Sequence, residues 1–172
     1  MIRRLWNAVA AFLVGVAIAS TGVEANGLGN PEGTVVLTVT GTLTETNLGD
    51  AAQFDIAMLE ALGSTEFEST TIWTEGVQRF RGVSLATLID ALGIKSGTLR
   101  AKAINDYMVE IPVKDASEDR SMIAYELNGE PMTLRNKGPL WIVYPYDSKS
   151  EYRSELTYGR SIWQLDRIEV IQ

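Results

Sequence analysis

Apolar and polar positions alternate with a period of two over residues 34–40, where Val35, Leu37 and Val39 are set against Thr34, Thr38 and Thr40. Such β-branched alternation predicts a strand buried on one side. Residues 42–50 are polar and loop-like. The period then changes: Asp55 is a suitable N-cap, and Ile56, Met58, Leu59 and Leu62 form a helical apolar stripe that Gly63 ends. Residues 67–73 read as a strand that pairs with 77–80 through a Thr74-Glu75-Gly76 turn. A second helix starts at a Ser84 cap, with Val83 placed to staple Leu88, and stops at Gly93. Residues 99–111 are strand-like but interrupted by Asn105-Asp106-Tyr107, and 112–119 form a short polar connection.

The densest run of signals lies at 121–145. An apolar strand, 122–127, meets Asn128-Gly129, the dipeptide best suited to the positive φ angles of a tight hairpin. A basic, turn-rich loop, Arg135-Asn136-Lys137-Gly138-Pro139, follows, and then a buried-strand run, 140–144, bounded by Pro145. Residues 147–157 are the most polar stretch and long enough for a mobile loop beside a site. The segment 158–171 places Arg160 and Trp163 three apart before a last strand at 167–171.

At 172 residues the chain amounts to one domain plus a leader. Arg3-Arg4, an apolar stretch 8–19 and the small-residue ending Val23-Glu24-Ala25 give residues 1–25 the layout of a secretory signal, with cleavage before Asn26. The apolar part is shorter than the roughly 20 residues a membrane span needs. A periplasmic or secreted location is therefore expected, an uncleaved anchor being the alternative. Residues 26–33 form a Gly/Asn/Pro linker, and 34–172 the domain.

A formal charge of −7 with no Lys/Arg cluster beyond Arg3-Arg4 argues against a nucleic-acid partner. The sequence contains neither cysteine nor histidine. Disulfides, thiolate nucleophiles, imidazole bases and Cys/His zinc sites are thereby excluded, and any metal would have to take oxygen ligands.

The run Ala124-Tyr125-Glu126-Leu127-Asn128-Gly129-Glu130-Pro131-Met132, then Gly138-Pro139-Leu140 and a hydrophobic strand, then Tyr158-Gly159-Arg160-Ser161-Ile162-Trp163, resembles the molybdopterin-binding domain of the sulfite oxidase family. The likeness extends over about 33–172 and is nearest to short secreted members of that family. It implies an α+β, sheet-rich fold in a single domain and a pterin-binding role. The family's redox members hold molybdenum through the pterin dithiolene and one cysteine thiolate. Where that cysteine is expected, this chain reads Thr71-Ile72-Trp73-Thr74. An oxidoreductase would thus need another metal donor, so a pterin is the expected ligand ahead of molybdopterin.

A flat pterin ring carries paired donors on one edge and acceptors on others. A carboxylate or amide can serve the donors, an Arg or Asn the acceptors, and an indole or phenol a face. On positions that match the family, Asp106 with Asn105 are candidates for the donor edge, Arg135 and Arg160 for polar edges or a tail, and Trp73, Tyr107 or Trp163 for stacking. Each has a plainer reading: 105–107 as a turn, Trp73 and Trp163 as core, Lys137 as solvated and Arg81 as a surface ion pair. Trp141, mid-strand, reads as core. No catalytic residue and no metal ligand is assigned. The resemblance further implies a signalling partner, the periplasmic part of a membrane sensor such as a histidine kinase or cyclic-dinucleotide enzyme. A molybdopterin oxidoreductase and a structural module with an empty pocket are the alternatives.

Overall fold

The computed structural model describes residues 27–172 except Asp119. Residues 1–25, read above as a secretory signal, lie outside them. Among the described residues ten strands form two five-stranded sheets. In the first, β1 (Leu37–Gly41) sits between β2 (Ala52–Phe54) and β10 (Leu165–Ile171), followed by β5 (Thr98–Ala103) and β6 (Met108–Pro112). The β1–β10 pairing is parallel, with Val39 opposite Ile168, and the other pairings are antiparallel. The second sheet runs β3 (Ser64–Thr71), β4 (Thr74–Ser84), β7 (Met122–Leu127), while β8 (Glu130–Pro131) and β9 (Trp141–Val143) also pair with β7.

In the second sheet β9 and most of β7 are buried on both faces. Along β7, Ile123 and Tyr125 enter the main core while Met122 and Ala124 enter a smaller one; in β9, Ile142 faces the first and Trp141 and Val143 the second. Two cores on alternate residues explain why these strands read as unbroken apolar runs. The main core also takes Leu37 and Val39 of β1, Leu99 of β5 and Val170 of β10. Val35 stays exposed, because the strand begins only at Leu37. Close approach of β4 to β7 depends on Gly82, where a side chain would collide with the Ile123 carbonyl.

The helices follow their caps. The Asp55 carboxylate accepts from Met58 N at the start of α1 (Ile56–Leu62), and Ser84 Oγ accepts from Thr87 N at the start of α2 (Leu85–Ala91). Asp55 Oδ2 also accepts from the Glu32 and Gly33 amides at 2.9 and 2.7 Å, so one carboxylate ties the segment before β1 to α1. Among the described residues no helix is long and apolar enough to cross a membrane.

Three local expectations are corrected. The β3–β4 hairpin turns at Ile72-Trp73, not at Thr74–Gly76, with Thr71 Oγ1 accepting from Trp73 N and lying 2.7 Å from Thr74 Oγ1. The connection after β6 contains a helix, α3 (Val113–Glu118), held by burial of Val113 and Ala116. Residues 147–157 form no loose loop: Asp147 accepts from Thr70 N at 2.5 Å and Thr70 Oγ1 at 2.8 Å, Tyr152 is buried, and α4 (Glu155–Arg160) begins within the stretch.

Two outcomes follow for stability. Leu59 is the only buried residue of α1, so Leu59→Ala should cost about 2–5 kcal/mol in urea unfolding. The Gly33 amide, foremost, holds the Asp55 carboxyl below its ordinary 3.8, and the Thr70 amide does the same for Asp147. Their contribution is complete above pH 3.8 and is lost as pH falls through the lower folded values. Melting temperature should therefore drop in that acid window, and a combined Asp55→Asn, Asp147→Asn variant should be less stable at pH 7 and lose part of the acid sensitivity.

Candidate functional site

A cavity of about 400 Å³ opens where the β3–β4 hairpin tip, the β5–β6 turn and the chain leaving α4 converge. Trp73 comes from the hairpin tip, Asn105 and Tyr107 from the β5–β6 turn, and Tyr158, Gly159, Ser161, Ile162 and Trp163 from the C-terminal segment, with Ala103 at the end of β5. Aromatic packing sets the wall. Trp73 meets the rings of Trp141, Tyr146, Tyr158 and Trp163 edge to face at centroid distances of 5.7, 6.1, 5.8 and 5.8 Å. Edge-to-face geometry sets the positive ring edge against the negative ring face.

Trp163 is positioned by backbone pairing: it bridges to Trp141, Ile142 N donates to Ile162 O, and Leu165 N donates to Leu140 O. Its ring is 39% exposed, so it stands at the mouth. Across from it, Asp106 takes a left-handed φ of 65° that turns the chain between Ala103 and Met108. This turn presents Asn105 and Tyr107 to the cavity, and Asn105 Oδ1 accepts from Tyr107 N at 3.2 Å. Residues 105–107 are thus a turn that sets the amide of Asn105, and not the carboxylate of Asp106, in the cavity lining.

The polar part of the wall is uncharged. Tyr146 Oη donates to Ser161 Oγ at 2.7 Å, Ser161 Oγ donates to Thr157 O at 2.8 Å, and Trp141 Nε1 donates to Ser161 O at 3.2 Å. Burial, foremost, pushes the Tyr146 phenol far above its ordinary value, so it stays protonated and keeps its donor role.

Four of the seven sequence candidates, Trp73, Asn105, Tyr107 and Trp163, are thus brought together. The other three lie outside the lining. Asp106 points to Arg167 at 2.9 Å and is mostly solvent-exposed. Arg160 is paired with Asp115 at 2.9 Å, which ties α4 to α3. Arg135 sits exposed on a 3-10 turn, Leu134–Asn136, whose Leu134 carbonyl accepts from Gln164 Nε2. Lys137 lies over the Trp141 ring, 5.4 Å from its centre. Arg81 is a surface ion-pair hub, contacting Glu60, Glu66 and Glu126. Sequence reasoning missed Ala103, Tyr158, Gly159, Ser161 and Ile162 as lining residues, although the last four stand in the quoted motif; that reading favoured its charged and indole positions.

The model of the family described as the oxidoreductase molybdopterin binding domain matches residues 53–149. The chain belongs to this family. The match contains Trp73, Asn105 and Tyr107 and ends before α4, so the molybdopterin-binding domain as matched supplies one side of the cavity and the C-terminal segment the other. Among solved structures, the sulfane dehydrogenase SoxCD from Paracoccus pantotrophus is 18% identical, with a TM-score of 0.57 over 78% of this chain. That likeness covers 37% of the SoxCD chain and shows the fold, the sheet-rich sulfite oxidase type. Comparison with curated proteins gives no match.

The residues suit the flat ring of a molybdopterin-type cofactor: indole and phenol faces, an amide and hydroxyls line a cavity of pterin-like size. They offer the metal no thiolate, and among the described residues no group of three His, Cys, Asp or Glu is placed to hold an ion. Since Trp73 joins the cavity wall to both cores, Trp73→Ala should destabilise the domain by about 3–5 kcal/mol and collapse the near-UV circular dichroism of the aromatic cluster.

Proposed function

We propose that this protein is a periplasmic pterin-binding protein that leaves its ligand covalently unchanged and reports occupancy to a membrane signalling partner. The observation that carries the binding role is the cavity itself: two indoles and two phenols around an amide, with an indole in the 71–74 stretch where the resemblance expects a metal-ligating cysteine. Ring faces and hydrogen bonds fix a flat heterocycle, and with no histidine or thiol in the chain the wall lacks the usual base and nucleophile. Export rests on the layout of residues 1–25. The partner, a periplasmic sensor region of a histidine kinase or cyclic-dinucleotide enzyme, rests on the family resemblance.

The family match is also compatible with a second reading, a molybdopterin-dependent oxidoreductase, whose metal would need a donor other than cysteine because the chain has none. In that case these residues bind and orient the pterin, and the metal supplies the redox chemistry.

Protein purified from its native source should release a stoichiometric pterin on denaturation, identified by fluorescence and mass, without molybdenum. Near-stoichiometric molybdenum with dye-linked turnover would establish the second reading instead. Trp163→Ala should weaken pterin affinity roughly tenfold through lost stacking, with a smaller loss of stability than Trp73→Ala because Trp163 is partly exposed at the mouth.

A further inference from the structure

Resting on the pterin reading, we infer that the cavity selects an uncharged pterin and discriminates against forms carrying a carboxylate or phosphate. No residue of its lining bears a charge: aromatic rings, Asn105, Ser161 and small or aliphatic residues make up the whole wall. An anion drawn into such a site gives up its hydration without a cation in the wall to replace it. None of the nearby charges belongs to the lining. Arg160, between two lining residues, has its Nη2 on Asp115, with the side chain only 12% exposed and its Nε buried without a hydrogen-bond partner. Asp106, between two others, is on Arg167, and Lys137 lies over the Trp141 ring. The overall charge of −7 adds a repulsive field at longer range.

The hydrogen-bonding polarity of the wall points the same way. Asn105 Oδ1 accepts from the Tyr107 amide, which orients the side-chain amide and leaves its two Nδ2 protons for acceptors on the ligand. The Ser161 hydroxyl proton is taken by Thr157 O, and its oxygen already accepts from Tyr146. Ser161 therefore has no proton to offer a ligand anion, only a remaining lone pair for a ligand N–H. The Asn105 amide donates, Ser161 accepts, and the Tyr107 and Tyr158 phenols add neutral hydroxyls; such groups suit the edges of a neutral pterin, whereas a phosphate gains most from cationic donors, of which the lining has none.

Titration of the purified domain with 6-hydroxymethylpterin, pterin-6-carboxylate and 6-hydroxymethylpterin phosphate, followed by ligand fluorescence, tests this. The first two are close in size, so their difference reads charge. The expected result is binding of 6-hydroxymethylpterin and at least tenfold weaker binding of both anions, unchanged in Arg135→Ala and Lys137→Ala variants. Asn105→Asp keeps the acceptor for the Tyr107 amide and removes the donor, so it should retain the melting temperature while losing at least tenfold in affinity for the neutral ligand. Equal or tighter binding of either anion would overturn the inference and leave the pterin reading standing, as would a phosphate on the ligand released from native protein. Failure of all three to bind would overturn the pterin reading and this inference with it.

Discussion

The fold and its cavity depend on one side chain, Trp73, at the tip of the β3–β4 hairpin. Its ring sets an edge or a face against four other aromatic rings and packs on both hydrophobic cores. Two of those rings, Tyr158 and Trp163, flank the cavity from a segment some ninety residues further along the chain. The contact therefore joins the second sheet to the C-terminal strand of the first. Because the same ring packs on both cores and lines the cavity, this part of the wall is continuous with the packed interior behind it.

Charge is separated from that surface. The cations of the first sheet pair with one another's neighbours: Arg100 with Glu110 and Glu169, Lys102 with Glu169, and Arg167 with Asp106 and Asp166. These exposed pairs add little stability singly. Their effect is to hold charged groups in place on the strand surfaces, while hydroxyls, an amide and ring edges face the ligand site.

The caps at Asp55 and Ser84, the Asn128-Gly129 hairpin and the buried runs in β7 and β9 were legible in the sequence because each is a local rule with one physical solution. The β3–β4 turn was not, since Ile72 and Trp73 have the composition of a strand and only the distant ring cluster draws Trp73 into a turn. Residues 113–118 escaped detection because a six-residue helix with Val113 and Ala116 as its buried contacts shows too little periodicity. In 147–157 the charged residues hid the anchors, Asp147 on β3 and Tyr152 in the core. Half of the site was readable as aromatic and amide positions beside loops. The hydroxyl chain from Tyr146 to Ser161 was not, because its members meet only after α4 folds back, and no local motif encodes that meeting.

Strand β10 lies at the centre of the first sheet, between β1 and β5. Synthesis proceeds from the N-terminus, so Leu37 and Val39 must wait for residues 165–171 before that sheet can close over them. A chain not yet extended to residue 165 thus has no finished first sheet to fold onto, and pairing across so long a separation in sequence is slow to form. Closure of the first sheet is therefore a long-range event that couples the first strand of the domain to its last.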